Sequence, residues 1–396
     1  MKRPEIEESG GGRIETSPLG QSKAIIAVPA RNEAERIGRC LAAFAVQRDH
    51  LGAPIPAGEF GVLVLVNNST DKTADVAHRM GPRLPYPLEI LEIQLTNATA
   101  GRARRLSMDE AAARLRTSPR GSILLTTDAD SVVNPVWYAG NISHLQSGAD
   151  CVAGYIDAEA PEIVSLGSAF LARGRLEDRY LRLVAEIYAL CDPRLHDPWP
   201  NHRVSSGASL AVALAAYQAV GGMPDQALGE DAAFTALLDD RNFRVRHALD
   251  VSVLTSCRLD GRASGGAADT MRHRRDVPDA PCDDDLEPAL ATLRRAVMRG
   301  FLRRAFLEGK LCQAVSRLLG ADQYPCEPSL SFLAAWRQIE GRHPKLRRGF
   351  PLRPSELPHE IPIAEFILRH LRLHAENSGV RADRYHRAIP LEPVDA

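Results

Sequence analysis

The run ILLTTDADSV, residues 123–132, sets Asp128 and Asp130 two apart at the end of an apolar stretch. Ile123, Leu124 and Leu125 read as a buried strand, and Thr126 and Thr127 are at home in one. Along a strand, residues i and i+2 point to the same side, so the two carboxylates would stand close together. Carboxylates that close repel, and each raises the other's pKa unless a cation lies between them. A divalent metal resolves the repulsion, and an all-oxygen donor set favours Mg2+ or Mn2+. Mg2+ uses one or two protein carboxylates and completes its shell with water and substrate phosphate. The competing explanation is chance. Asp and Glu number 50 in the 396 residues, and Glu5/Glu7, Asp157/Glu159 and Asp283/Asp285 repeat the spacing. Position at a strand end sets Asp128 and Asp130 apart.

Other residues with chemical potential are more scattered. Glu230 and Asp231 open the helical pattern EDAAFTALLDD, which puts Asp231 in a first turn where the helix dipole favours an anion. Ordinary capping explains acidic residues there equally well. His202, His247 and His273 stand alone in sequence, and a lone histidine is more often a satisfied residue than a metal ligand. In TSCRLDGRASGG, Arg258 and Arg262 suit either a phosphate contact or a surface ion pair.

The elements that must position these groups alternate. KAIIAVPA is a short strand ended by Pro29, and RNEAERIGRCLAAFAVQ follows with Ile37, Leu41 and Phe44 at helical spacing. GVLVLVNNSTDKTADVAHRM repeats the unit, LEILEIQL leads into AGRARRLSMDEAAARL, and ILLTT is the fourth strand. Strands alternating with helices predict an α/β fold with a parallel sheet covered on both faces. Ligands of such sheets sit beyond the carboxyl ends of the strands. The polar clusters at 29–33, 67–73, 101–105 and 128–131 all fall on that edge.

Composition narrows the class. Net charge is −1, so nothing points to nucleic acid as a partner. The 7 cysteines are scattered without a C-x-x-C pair, which suits a reducing compartment and offers no zinc site. No run is long and apolar enough for an integral membrane segment, and a cytoplasmic location is expected. Residues 1–21 read as a disordered leader rich in Glu, Gly and Ser. Charge and proline at 276–286 read as a linker, and 287–396 as a helical C-terminal region. There Leu290, Leu293, Val297 and Phe301 repeat at helical spacing with arginines between them. This predicts an apolar face over an intramolecular core with solvated arginines, peripheral membrane contact being the alternative.

Together the segments AIIAVPARNEAERI, VLVLVNNSTDKTADVA, AGRARR, ILLTTDADSVVNP, SSGASLAV with AYQAVGG, and LGEDAAFTALL resemble, in order and spacing, the family 2 glycosyltransferases. The resemblance covers roughly residues 22–265 and implies a GT-A domain over 22–275. That fold is a Rossmann-like, mixed but mostly parallel sheet flanked by helices. The implied activity moves a sugar from a nucleotide-sugar donor to an acceptor hydroxyl, with inversion and a divalent metal. By the same resemblance Asp130 and Asp128 bind the metal, Asp128 also lying by the ribose and sugar. Asp231 is the catalytic base, and Glu230 supports the acceptor. Pro29, Ala30, Arg31 and Glu33 cradle the nucleoside, Arg102 and Arg104 hold phosphate, and Gly207 with Ala208 leaves room for the sugar. Asn67 and Asn68 stand where many relatives carry DDGSTD. Asparagine accepts through its oxygen but also donates, so the nucleobase stays open.

The acceptor is equally open among glycan, lipid and small metabolite. A sugar nucleotidyltransferase would need a glycine-rich loop after the first strand, and VPARNEAERI has no glycine before Gly38. A non-catalytic nucleotide-sugar-binding protein of the same fold is the other alternative, and loss of Asp128, Asp130 or Asp231 would have favoured it. A Rossmann dehydrogenase is excluded by the missing G-x-G-x-x-G.

Overall fold

The computed structural model describes residues 18–115, 121–261, 265–319, 331–344 and 346–377. The chain forms two compact units, Met1–Gly167 with Val204–Arg275 and Ser168–Arg203 with Asp276–Ala396.

The first unit begins with β1 (Ala24–Ala30), α1 (Ile37–Ala45), β2 (Phe60–Asn67), α2 (Thr73–Met80), β3 (Leu88–Ile93), α3 (Ala100–Leu115) and β4 (Ile123–Thr126). It continues through β5 (Val132–Val133), α4 (Trp137–Gln146), β6 (Cys151–Ala158) and α5 (Ala160–Ser165). After α6 (Ser168–Cys191), which belongs to the second unit, come β7 (Leu210–Ala213), α7 (Leu214–Ala219), α8 (Glu230–Asp240), β8 (Val245–Thr255) and α9 (Ala267–Asp276). The strands make one eight-stranded sheet in the order β3-β2-β1-β4-β7-β6-β8-β5. β1, β2, β3 and β4 run parallel, β7 is antiparallel to both β4 and β6, and β6 is parallel to β8. This is the mixed α/β sheet expected, with helices on both faces.

Alternation along the central strand explains both layers. Ala24, Ile26 and Val28 face a cluster with Ile37, Leu41 and Phe44 of α1, whereas Ile25 and Ala27 face Met108 and Ala111 of α3. One boundary differs from the sequence expectation, because β1 runs through Pro29 to Ala30. The Ala27 carbonyl accepts the Thr127 amide on the β4 side, and by alternation the Pro29 nitrogen faces that side too. β4 pairs only as far as Ala27, so the missing N–H of Pro29 costs no ladder bond.

The second unit consists of α6 with α10 (Ala289–Leu307), α11 (Leu311–Leu319), α12 (Phe332–Arg342) and α13 (Leu357–Asn377), the helical C-terminal region expected. Tyr180, Val184, Ile187, Leu286, Leu357, Ile361 and Leu368 form its main core. The expected facing of α10 holds only for Leu293, which packs against this core, and for the exposed Arg294. Leu290, Val297 and Phe301 are exposed, while Arg295 and Arg299 are buried against Glu287 and Asp192. The cause is the close crossing of α10 and α6, since a Cβ on Gly300 would lie 2.0 Å from the Cys191 carbonyl oxygen. Only small residues and flat guanidinium groups fit so tight a contact.

Cys40, Cys151, Cys191, Cys257 and Cys282 carry free thiols, whereas Cys312 is disulfide-bonded. Among the described residues no helix is long and apolar enough to cross a membrane.

Candidate active site

A cavity of about 640 Å³ opens beyond the carboxyl ends of β1, β2 and β4. The ends of β6 and β8 and the first turns of α8 and α9 complete its wall. This is the sheet edge at which α/β folds bind ligands.

Asp128 and Asp130 both line the cavity, but not by strand alternation. β4 stops at Thr126, and a turn closed by the Ser131 amide donating to the Asp128 carbonyl at 3.1 Å delivers the pair. Each carboxylate meets an arginine. Arg104 Nη2 donates to Asp128 Oδ1, and Arg258 Nη2 lies 3.1 Å from Asp130 Oδ2. Arg258 also grips both carboxylate oxygens of buried Glu33. Even so, burial and then the Asp128 charge push the Asp130 carboxyl up to about 7, against the opposing pull of Arg258.

These residues fit a divalent cation. Two carboxylates face one cavity, their mutual repulsion is visible in Asp130, and both offer hard oxygen donors. Among the described residues no set of three His, Cys, Asp or Glu side chains is placed to cage a metal. An ion held by Asp128 and Asp130 would therefore draw the rest of its shell from water and phosphate.

Arg104 is the main departure from expectation. Its side chain is only 7% exposed, so it is not free to chelate phosphate. Nε donates to Glu230 Oε1 at 3.0 Å, and Nη1 donates to Thr126 Oγ1 at 3.1 Å and to the Gly207 carbonyl at 2.9 Å. With the Asp128 contact, one guanidinium joins α3, the end of β4, the segment before β7 and the start of α8. Burial lowers its pKa, but Asp128 and Glu230 outweigh that and raise it. Gly207 is required by this packing, because a Cβ there would lie 2.2 Å from the Arg104 Cζ. Glu230, expected beside the acceptor, is instead buried against Arg104.

Asp231 sits in the first turn of α8, as its sequence position implies. Gly229 caps the helix at φ 71°, a conformation glycine adopts without strain. Asp231 Oδ2 accepts the Gly207 amide at 2.8 Å, and Oδ1 accepts the Ala232 amide at 2.7 Å. The carboxylate lines the cavity with these bonds fixing its rotamer. Gly207 therefore ties Arg104, through its carbonyl, to Asp231, through its amide.

Pro29, Ala30, Arg31, Glu33 and Asn67 also line the cavity. Asn68 does not, since its side chain exchanges hydrogen bonds with the Leu95 backbone at 3.0 and 3.2 Å. Arg102 lies away from the wall, its Nε 3.1 Å from Asp225. His247 and His273 are not lining residues, His202 belongs to the second unit, and Arg262 lies outside the described residues. Two features had no sequence signal. Asp157 and Thr255–Cys257 reach the cavity beside Arg258, the one residue there that the sequence singled out, because β6 and β8 run parallel, a pairing that no local pattern encodes. The loop after β1 is locked to the NNSTDKT turn, Asn32 Oδ1 accepting the Thr70 amide at 2.8 Å and Asp71 Oδ2 the Ala34 amide at 3.0 Å. Burial pushes the Asp71 carboxyl up, but Thr73 and these backbone donors together leave it below the usual range.

Residues 25–184 match the family described as Glycosyl transferase family 2. This segment belongs to that family. The matched segment is thus a glycosyltransferase segment by family, and it carries β1 to β6 together with Asp128 and Asp130 of the cavity wall. No curated protein matches the chain. Several solved structures are similar. One is the mannosyltransferase PcManGT from Pyrobaculum calidifontis with GDP-Man and Mn2+, at 16% identity and TM-score 0.44, over 92% of this chain and 77% of that one. Another is S. aureus TarS 1–349 with UDP, at 14% identity and TM-score 0.41, over 80% and 90% of the two chains. A third is glucosyl-3-phosphoglycerate synthase from Mycobacterium tuberculosis with Mn2+, UDP and phosphoglyceric acid. It shows 15% identity and TM-score 0.39, over 75% and 84%.

Proposed function

We propose that this glycosyltransferase takes its sugar from a nucleotide-sugar donor and passes it to an acceptor hydroxyl in one inverting displacement, with Asp231 as the base. The observation that carries this reading is Asp231 itself, an oriented carboxylate in the wall of the cavity that also holds Asp128 and Asp130. Each Asp231 oxygen accepts one backbone amide and keeps a lone pair for a proton. The positive end of α8 stabilises the anion before it takes the acceptor proton. Inversion follows from the family resemblance, since a single displacement at the anomeric carbon reverses its configuration.

Asp128 and Asp130 would hold Mg2+ or Mn2+, which as a Lewis acid stabilises charge on the departing nucleoside diphosphate. Metal dependence is further supported by the charge of the wall. Glu33, Asp128, Asp130, Asp157, Glu230 and Asp231 face Arg31, Arg104 and Arg258, an excess of acid that would repel a diphosphate alone. Pro29, Ala30, Arg31, Glu33 and Asn67 surround the nucleoside in this reading, and Gly207 borders the sugar. Of the expected division into a GT-A domain over 22–275, a linker over 276–286 and a helical region over 287–396, the proposal keeps the GT-A domain without Ser168–Arg203, which join the helical unit together with 276–286. So does a cytoplasmic location, which fractionation of cells producing the tagged protein tests.

The activity is tested with a panel of UDP-, GDP- and dTDP-sugars in Mn2+, by release of nucleoside diphosphate in the presence of a mixed acceptor pool. Turnover of one donor that falls with Asp130→Ala is expected, and full turnover by both Asp130→Ala and Asp231→Asn contradicts the mechanism.

A further inference from the structure

The outward face of α10 is built in a way that the sugar-transfer site does not explain. Leu290, Arg294, Val297, Phe301 and Arg304 follow one another at spacings of three and four, so they share one stripe of the helix. The apolar members are open to solvent, Leu290 by 66%, Val297 by 48% and Phe301 by 43%. Leu307 at the end of α10, 77% exposed, and Leu318 of α11, 44% exposed, add further apolar surface. The tight crossing at Gly300 keeps such side chains out of the core, but it does not require the outer positions to be apolar.

A second observation lies at the corner between α10 and α11. A cavity of about 240 Å³ is walled by Phe301, Arg304, Lys310, Gln313, Arg317 and Leu318. Glu308, its acidic lining residue, is paired with Lys310 at 2.9 Å. Among the described residues neither Arg304 nor Arg317 has a carboxylate partner, so the corner is a basic recess with apolar lips. The chain as a whole has net charge −1, and the concentration of cations here is therefore local.

We propose that the α10–α11 face docks on a bilayer containing anionic phospholipid. The recess has the size and charge to receive a phosphate headgroup, while Leu290, Val297, Phe301 and Leu307 enter the boundary with the acyl chains. The arginines suit this position because their aliphatic stems lie along apolar surface while their heads reach the phosphates. Anionic lipid complements the charge of the stripe, which an uncharged apolar partner would leave buried and unpaired.

The experiment is co-sedimentation of the full-length protein with vesicles of phosphatidylcholine alone and of phosphatidylcholine mixed with phosphatidylglycerol. Binding to the mixed vesicles that weakens in high salt is expected, with little binding to phosphatidylcholine alone. Two exposed-surface variants follow, Phe301→Ser with Leu307→Ser, and Arg304→Glu with Arg317→Glu. Each should weaken vesicle binding about tenfold or more, with an unchanged melting temperature showing that the fold is intact. Equal binding to both vesicle types, or mixed-vesicle binding that survives both variants, overturns the proposal. So does self-association abolished by Phe301→Ser in protein that ignores vesicles, which would make the occupant a second copy of the chain.

Discussion

Both units bury arginine against carboxylate, yet the two sets of charges do different things. In the second unit Arg299 and Arg303 enclose Asp192 at 2.6 Å each, and Arg295 joins Glu287 at 2.8 Å and Glu340 at 2.6 Å. Tyr188 lies beneath Arg203 and Arg299, 4.0 and 4.5 Å from their guanidinium carbons. Burial there pushes Asp192 up, but Arg299 and Arg303 together pull it below the ordinary carboxylate range. In the first unit the balance tips the other way. Arg104 and Arg258 are shared among more carboxylates than they can neutralise, and Asp130 is pushed up to about 7. A closed set of matched charges serves as a frame. An open set with surplus acid facing a cavity is what the proposed cation site would require.

Substitutions can break this contrast, and the largest effect belongs to Asp130→Ala. Loss of a metal-holding carboxylate should cut turnover by about 10³-fold or more, and Mn2+-dependent binding of the donor nucleotide, followed by calorimetry, should disappear. The same variant should melt no lower than the parent without divalent metal, because the buried repulsion goes with the carboxylate. Arg104→Met comes next. It strands Glu230 in the interior and Asp128 at the cavity, and breaking such pairs costs about 3–5 kcal/mol. Asp128, with a third of its side chain open to solvent, places the expected loss at the lower end. Chemical denaturation should show that loss, and turnover per folded molecule should also fall because Gly207 and Asp231 lose their anchor.

Gly207→Ala sharpens the comparison further. Its Cβ must displace the Arg104 guanidinium, with overpacking worth about 1–3 kcal/mol and turnover lowered about tenfold through the shifted base. Arg299→Met should do the reverse, lowering the melting temperature while leaving kcat of the folded enzyme unchanged. Equal loss of activity in both variants would erase the distinction between frame and site. The smallest effect concerns pH. Because the folded pKa of Asp192 lies below its unfolded value, its stabilisation is complete above the ordinary carboxylate range, near pH 4. It is lost as pH falls through the folded value, so Asp192→Asn should flatten the acid limb of a melting-temperature profile.

Particular residues show what the sequence could and could not tell. The cavity positions of Asp128 and Asp130 follow from an apolar run that must end at the ligand-binding edge. Asp231 follows from the helical pattern behind it. Arg104 was misread because sequence displays a basic residue near a glycine, not the two carboxylates that bury it. The Glu33–Arg258 pair spans 225 residues and has no local signature. Asn68 looked like a base contact because its use on the Leu95 backbone depends on where β3 ends. On α10 the periodicity was sound, but of the four apolar positions only Leu293 packs on the core. Period alone reports that a stripe exists, and the tight crossing at Gly300 decided which side turned inward.

The most direct test is Asp231→Asn, an isosteric change that keeps an acceptor for the Gly207 amide and removes the base. Turnover of the preferred donor should fall by about 10²–10⁴-fold, while calorimetric affinity for its nucleoside diphosphate with Mn2+ stays within about twofold of the parent. Turnover retained at the parent's level would contradict the assignment of Asp231 as the base.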